Sequence, residues 1–161
     1  MNYERITTDK IFDGEIRQRH EDRYRWANQF IDDNEIVLDA GCGIGYAKDI
    51  LKGKYIGVDR NPVGDCLKVD LVTDDLDFDY DVFVGIEIIE HLSQIDNFLR
   101  LAKRAKKIIV SAPIIPTKHK NEYHLQDFTE QSLMALFEDD NFKLIDKKID
   151  TNYAIFYYAK S

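Results

Sequence analysis

The sequence predicts an α/β protein: a mostly parallel sheet with helices on both faces and an antiparallel hairpin at its C-terminal end. Three observations carry that expectation. Residues 35–46, EIVLDAGCGIGY, run from an apolar strand-sized stretch through Asp39 into a turn bearing Gly41, Gly43 and Gly45, and a helical segment follows over 46–51. Two further apolar stretches, 55–58 and 81–86, each end in an acid, Asp59 and Glu87. Near the C-terminus, 142–149 and 153–159 are strand-like and separated only by Asp150-Thr151-Asn152, which is hairpin spacing.

Taken in order, residues 1–10 carry mixed charges and no apolar leader, so a cytoplasmic location is expected. Over 21–32, Tyr24, Ala27, Phe30 and Ile31 recur at helical spacing, which predicts an amphipathic helix ahead of the first strand. Glycines suit the turn after that strand because the backbone must bend sharply with φ angles that a Cβ forbids, and because a ligand can then approach bare main chain. Cys42, within the turn, needs only a small side chain there. With Cys66 it makes two cysteines, too few for a disulfide framework, and both are read as free thiols.

Between the second strand and the next, 60–65 (RNPVGD) is far shorter than the dozen or more residues of a parallel crossover, so a helix is missing there. The third strand is expected over 66–69, ending in Asp70. An acidic loop over 71–80, with Asp74, Asp75, Asp77 and Asp79, reads as solvated surface. After the fourth strand, Ile95, Phe98, Leu99 and Ala102 mark a helix begun by Ser93. A strand over 107–112 stops at Pro113. Residues 113–128 form a long polar loop with Lys118, His119, Lys120, Tyr123, His124 and Asp127, and loops of that length in compact domains are usually functional. Thr129 then caps a helix containing Ser132, Leu133, Leu136 and Phe137.

The 161 residues suit one domain. A net charge of −8 argues against a large nucleic-acid surface, and the basic cluster at 103–107 reads as cations at a helix C-terminus. Apolar runs stay strand-sized, well short of the roughly 20 residues of a membrane helix. Oligomeric state is left open.

The segments VLDAGCGIGY, GVDRN and DVFVGIEIIEHL, in that order, resemble the nucleotide-binding half of class I S-adenosylmethionine-dependent methyltransferases, most closely over 36–112. The resemblance implies a Rossmann-like, seven-stranded sheet in a single methyltransferase domain. That domain comprises an N-terminal helical segment (1–34), a cofactor-binding half (35–112) and an acceptor-side loop, helix and hairpin (113–161). Gly41, Cys42, Gly43 and Gly45 would face the methionine portion of S-adenosylmethionine, with Asp39 beside its amino group. Asp59 would take the ribose hydroxyls with Arg60 next to it, Asp70 would lie near the adenine, and Glu87 would stand at the end of the fourth strand. Arg19, His20, Glu21 and Tyr24 would reach the cleft from the N-terminal helix.

The implied reaction is methyl transfer to an oxygen of a small molecule or glycan. A turn spaced G-x-G-x-G, not G-x-G-x-x-G, leans away from a dinucleotide oxidoreductase. Of the four histidines, His20, His91, His119 and His124, the expected catalytic groups are His124 and His91, together with Asp127. Glu87, Glu90, His91 and His124 also resemble the metal-binding set of methyltransferases acting on the terminal 2′-hydroxyl of small RNAs, and of some ubiquinone-pathway O-methyltransferases. That pattern offers an alternative: a divalent metal and 2′-O-methylation of an RNA terminus. The missing crossover helix leaves a third reading, a cofactor-binding protein without turnover.

Overall fold

The computed structural model of the chain describes residues 14–161. The mixed-charge segment 1–10 lies outside them. Seven strands form one sheet in the order β3-β2-β1-β4-β5-β7-β6, with β1 Ile36–Ala40, β2 Lys54–Asp59, β3 Leu67–Lys68, β4 Val82–Ile86, β5 Lys107–Pro113, β6 Phe142–Ile149 and β7 Tyr153–Lys160. The first five are parallel, and β7 runs antiparallel between β5 and β6. The chain walks one way from β1 to β3 and the other way from β4 to β5. Such a reversal leaves a crevice at the carboxyl ends of β1 and β4.

Side-chain alternation along the strands builds two apolar layers. Val37, Val82, Val84, Ile86, Ile109, Ile155 and Tyr157 pack on one face with Tyr24 and Ala27 of helix α1 (Gly14–Asn28). Leu38, Phe83, Ile108, Val110, Phe156 and Tyr158 pack on the other with Phe98 and Leu101 of α2 (Asp96–Ala102) and Leu133 of α3 (Glu130–Ala135). Helices therefore cover both faces, as expected.

Several elements differ from expectation. Helix α1 begins a full turn or more before residue 21 and stops at Asn28, where Phe30 and Ile31 turn back through bonds to Ala27 and Asn28. Phe30 then stacks on Tyr157, its ring centroid 4.3 Å away, so its helical spacing reflects a shared apolar layer. The helical segment at 46–51 is only a 3₁₀ turn, Tyr46–Asp49, because Gly53 (φ 81°) must reverse the chain before Lys54 pairs with Ile36. Helix α2 is not capped by Ser93. Ile95 holds the cap position, and the carbonyls of Leu92 and Ser93 accept instead from Gln126.

Strand β3 shrinks to two exposed residues, and no helix spans 60–66, as the short crossover predicted. The four acids of the acidic loop are exposed, as expected, and Asp75 accepts from Arg100 and Arg104 at 3.2 and 2.9 Å. The 103–107 cations are likewise engaged, Lys103 with Asp139, Lys106 with Asp81 and Lys107 with Asp32 and Glu35. Thr129 caps α3, as expected, and does so in a reciprocal capping box with Ser132.

Candidate active site

A cavity of about 800 Å³ opens at the carboxyl ends of β1, β2 and β4. Its floor is the glycine turn. Gly41 (φ 78°) and Cys42 donate their N–H groups to the Val58 carbonyl at 2.9 and 3.0 Å, which draws the turn against β2. A Cβ on Gly41 would lie 2.5 Å from the Ile88 side chain, so the position requires glycine for space as well as for φ. Gly43 (φ 59°) has open space where a Cβ would stand. Gly45 does not line the cavity; it begins the 3₁₀ turn. The Cys42 thiol is buried, and burial raises its pKa.

Asp59 ends β2 in the cavity wall. Its Oδ2 accepts from Gly43 N–H at 2.9 Å and its Oδ1 from Asn61 N–H at 2.8 Å, so one carboxylate holds both the turn and the following loop. Arg60 and Asn61 line the cavity beside it, followed by Asp70, Leu71 and Val72. Asp70 Oδ1 accepts from Val72 N–H at 2.9 Å.

Asp39, expected beside a ligand amino group, is enclosed instead. It has no exposed surface and is absent from the cavity wall. The Tyr24 and Tyr55 hydroxyls donate to its two oxygens at 2.9 and 2.6 Å. Burial pushes its pKa up to about 6 against the opposing pull of both tyrosines. The native state therefore favours the protonated acid. That contribution to stability is complete below the unfolded-state value near 4 and is lost as pH rises through about 6. Two pKa units correspond to about 3 kcal/mol. The stability of the wild type minus that of Asp39→Asn, from denaturant melts, is expected to fall by this order between pH 4 and pH 6 and then level off. A flat difference would show that Asp39 does not titrate there.

Glu87 follows β4 with φ 51°, the only positive φ at a non-glycine among the described residues, which marks stored strain at the cavity. Ser111 Oγ donates to its Oε2 at 3.0 Å, and Arg23 of α1 lies 3.5 Å from Oε1. Burial raises the carboxyl pKa, opposed by Arg23 and Ser111.

Beyond it the 3₁₀ turn Ile89–His91 carries buried Glu90, and loop 113–128 docks on that turn through Leu125 and Gln126 N–H bonds to the Glu90 carbonyl. His91 Nδ1 lies 3.0 Å from the Tyr123 carbonyl oxygen. A carbonyl only accepts, so Nδ1 carries a proton, and Nε2 lies 3.8 Å from Glu90 Oε1. His124 Nδ1 lies 2.7 Å from Thr117 Oγ1, and the two imidazoles meet edge to face with centroids 4.7 Å apart.

One ligand atom from each of Glu90, His91 and His124 falls within 4.8 Å of the others. Three of the four expected metal ligands thus come together. Glu87 stays out, committed to Arg23 and Ser111. Asp127 is not in the cavity wall either. It accepts from the N–H groups of Thr117 and Lys118, which hold its carboxyl below the usual range, and it braces the loop that carries His124. Arg19, His20 and Tyr24 reach the cavity as expected; His119 does not, and Glu21 pairs with Arg17 and Arg25. Sequence reasoning missed Arg23, Tyr55 and Tyr153. The available signal for Arg23 was a cation beside the buried stripe of Tyr24 and Ala27.

No protein-family model matches the chain, and no curated protein matches it in sequence. Solved structures do match. One is a chain from the complex between the Haloferax volcanii Trm112 methyltransferase activator and a methyltransferase, 13% identical, covering 92% of this chain and 93% of that one at a TM-score of 0.70. A second is the magnesium protoporphyrin IX methyltransferase of Synechocystis PCC 6803 with bound S-adenosylmethionine, 15% identical, with 97% and 86% covered and a TM-score of 0.65. A third is the N-methyltransferase NodS of Bradyrhizobium japonicum WM9 in complex with S-adenosylhomocysteine, 12% identical, with 95% and 89% covered and a TM-score of 0.65. The chain has the class I S-adenosylmethionine-dependent methyltransferase fold. Within this methyltransferase fold the shortened β2–β4 region is the main departure from the expected alternation of strand and helix. Among the described residues no helix is long and apolar enough to cross a membrane.

Proposed function

We propose that the chain transfers a methyl group from S-adenosylmethionine to an oxygen of a small molecule or glycan. The observation that carries this reading is the cavity at the carboxyl ends of β1, β2 and β4, walled by Gly41, Gly43 and Asp59. In this reading, the glycine turn receives the methionine portion. Asp59 keeps acceptor capacity for the ribose hydroxyls, since a carboxylate has about four lone-pair sites. Leu71 and Val72 supply an apolar flank for the base beside Asp70. The acceptor enters under loop 113–128. Its oxygen attacks the sulfonium methyl, the S–CH₃ bond breaks as the O–CH₃ bond forms, and the hydroxyl proton passes to His124 or His91. The engaged state of the 103–107 cations supports a small acceptor over a nucleic acid.

The cluster of Glu90, His91 and His124 favours a second reading, in which the three hold a divalent ion. One carboxylate and two imidazoles suit zinc, manganese or iron, and the bond from His91 Nδ1 to a carbonyl is the kind of outer contact that orients a ligating imidazole. A bound ion would lower the pKa of an acceptor hydroxyl, including one on an RNA terminus.

Calorimetric titration with S-adenosylhomocysteine, with and without Mn²⁺ or Zn²⁺, tests both readings. Micromolar cofactor-product binding is expected, and its absence would overturn the methyltransferase reading. His124→Ala is expected to leave that affinity within about twofold and to lower turnover by the 10²–10⁴ typical of a lost general base. A separate metal heat that vanishes in the same variant would select the metal reading.

A further inference from the structure

Arg23 is poorly satisfied for a buried guanidinium. Its side chain is only 7% exposed, yet Nε has no hydrogen-bond partner, and its contact with Glu87 is a loose 3.5 Å. The guanidinium lies over Tyr153, its carbon 3.6 Å from the ring centroid. A buried donor left idle costs free energy unless a ligand takes it.

Two cavities meet at this group. Arg19, Arg23 and Tyr153 line both the 800 Å³ cleft and a smaller cavity of about 70 Å³, which adds Lys148 and Trp26. The two acids of the smaller cavity are occupied. Asp22 accepts from Gln18 at 2.9 Å and pairs with Arg25, while Asp150 accepts from Thr151 N–H and from the Tyr153 hydroxyl, and these bonds, with the nearby charges of Lys148 and Arg23, lower its pKa. Arg19 and Lys148 make no hydrogen bond or ion pair with another described residue, so three cations converge here with spare donors on a chain of net charge −8.

We infer that this junction seats an anionic group of the methyl acceptor, a carboxylate or phosphate, held by Arg19, Arg23 and Lys148 against the Tyr153 ring. This rests on the methyltransferase reading above. A cavity of about 70 Å³ has roughly the room of two waters, enough for an oxyanion group and not for a sugar. A guanidinium held against a ring suits the paired oxygens of such a group. Tyr153 and Lys148 stand on β7 and β6, three and four strands from β1. At about 4.8 Å per strand they lie roughly 14–19 Å across the sheet from the glycine turn. That distance sets Tyr153 and Lys148 on the acceptor side, with Arg23 reaching back to Glu87 at the end of β4.

Trp26, the single tryptophan, lines the smaller cavity and serves as reporter. Inorganic phosphate, titrated into protein saturated with S-adenosylhomocysteine, is expected to change Trp26 emission saturably. In Arg19→Gln/Lys148→Gln, both sites being exposed and safe for folding, phosphate should bind at least about tenfold more weakly. S-adenosylhomocysteine affinity should be unchanged. A response that never saturates, or one equally tight in the double variant, would overturn the inference. So would phosphate competing with S-adenosylhomocysteine, together with a variant that binds it more weakly but binds 5′-methylthioadenosine normally. That pattern would assign the cations to the cofactor's own carboxylate. Failure of the methyltransferase reading is scored separately, by the calorimetry without phosphate.

Discussion

Asp59→Ala is expected to lower S-adenosylhomocysteine affinity by two or more orders of magnitude while the chain stays folded. In the proposed complex the carboxylate takes both ribose hydroxyls, and a hydrogen bond to a charged group is worth roughly 1.5–3 kcal/mol, so two lost together approach roughly 3–6 kcal/mol. The structure adds a second loss. Oδ2 also holds Gly43 N–H at 2.9 Å and Oδ1 holds Asn61 N–H at 2.8 Å, so the variant loosens the turn that receives the rest of the ligand. Asp59→Asn separates the two effects, because its amide oxygen can still accept from Gly43. An intermediate affinity in Asp59→Asn, with Asp59→Ala far weaker, is the expected calorimetric result. Affinity unchanged in Asp59→Ala would remove the ribose assignment.

Glu87→Ala is expected to destabilise the fold by about 3–5 kcal/mol, the range for removing one member of a buried ion pair. Arg23 would then lose the only carboxylate within ion-pairing distance among the described residues, in a site where Nε already lacks an acceptor. Glu87→Gln keeps a bond from Ser111 and removes the charge, so it should fall between wild type and alanine in a urea melt. Alanine would also leave the strained φ of 51° without the carboxylate contacts that hold it, and relaxation there would move Ile88 over Gly41. Equal midpoints for wild type and Glu87→Ala would show that the pair contributes nothing to stability.

The candidate site was partly legible in the sequence. Asp59, Glu90, His91 and His124 fall in or at the cavity where their positions at strand ends and in the long loop put them. Asp39 and Asp127 were assigned by position along the chain, and both carry supporting bonds instead: Asp39 to two tyrosines, Asp127 to two loop amides. Arg23 carried only a faint signal, its place beside the buried stripe of Tyr24 and Ala27, because its meaning comes from Glu87 and Tyr153, far away in sequence.

What the sequence by itself determined are features decided by near neighbours. These include the glycine turn, whose φ angles exclude side chains, the apolar stretches of the central strands, the Thr129 helix cap and the C-terminal hairpin. Tertiary structure alone decided which polar groups face the cavity and which are consumed inside the fold. The sheet order sets β4 beside both β1 and β5, bringing Glu87 to Ser111 and under Arg23 of α1, while loop 113–128 meets the Glu90–His91 turn. The physical reason is that a buried polar group takes whichever partner the packing of the whole sheet leaves within about 3 Å. Strand order, not local spacing, makes that choice.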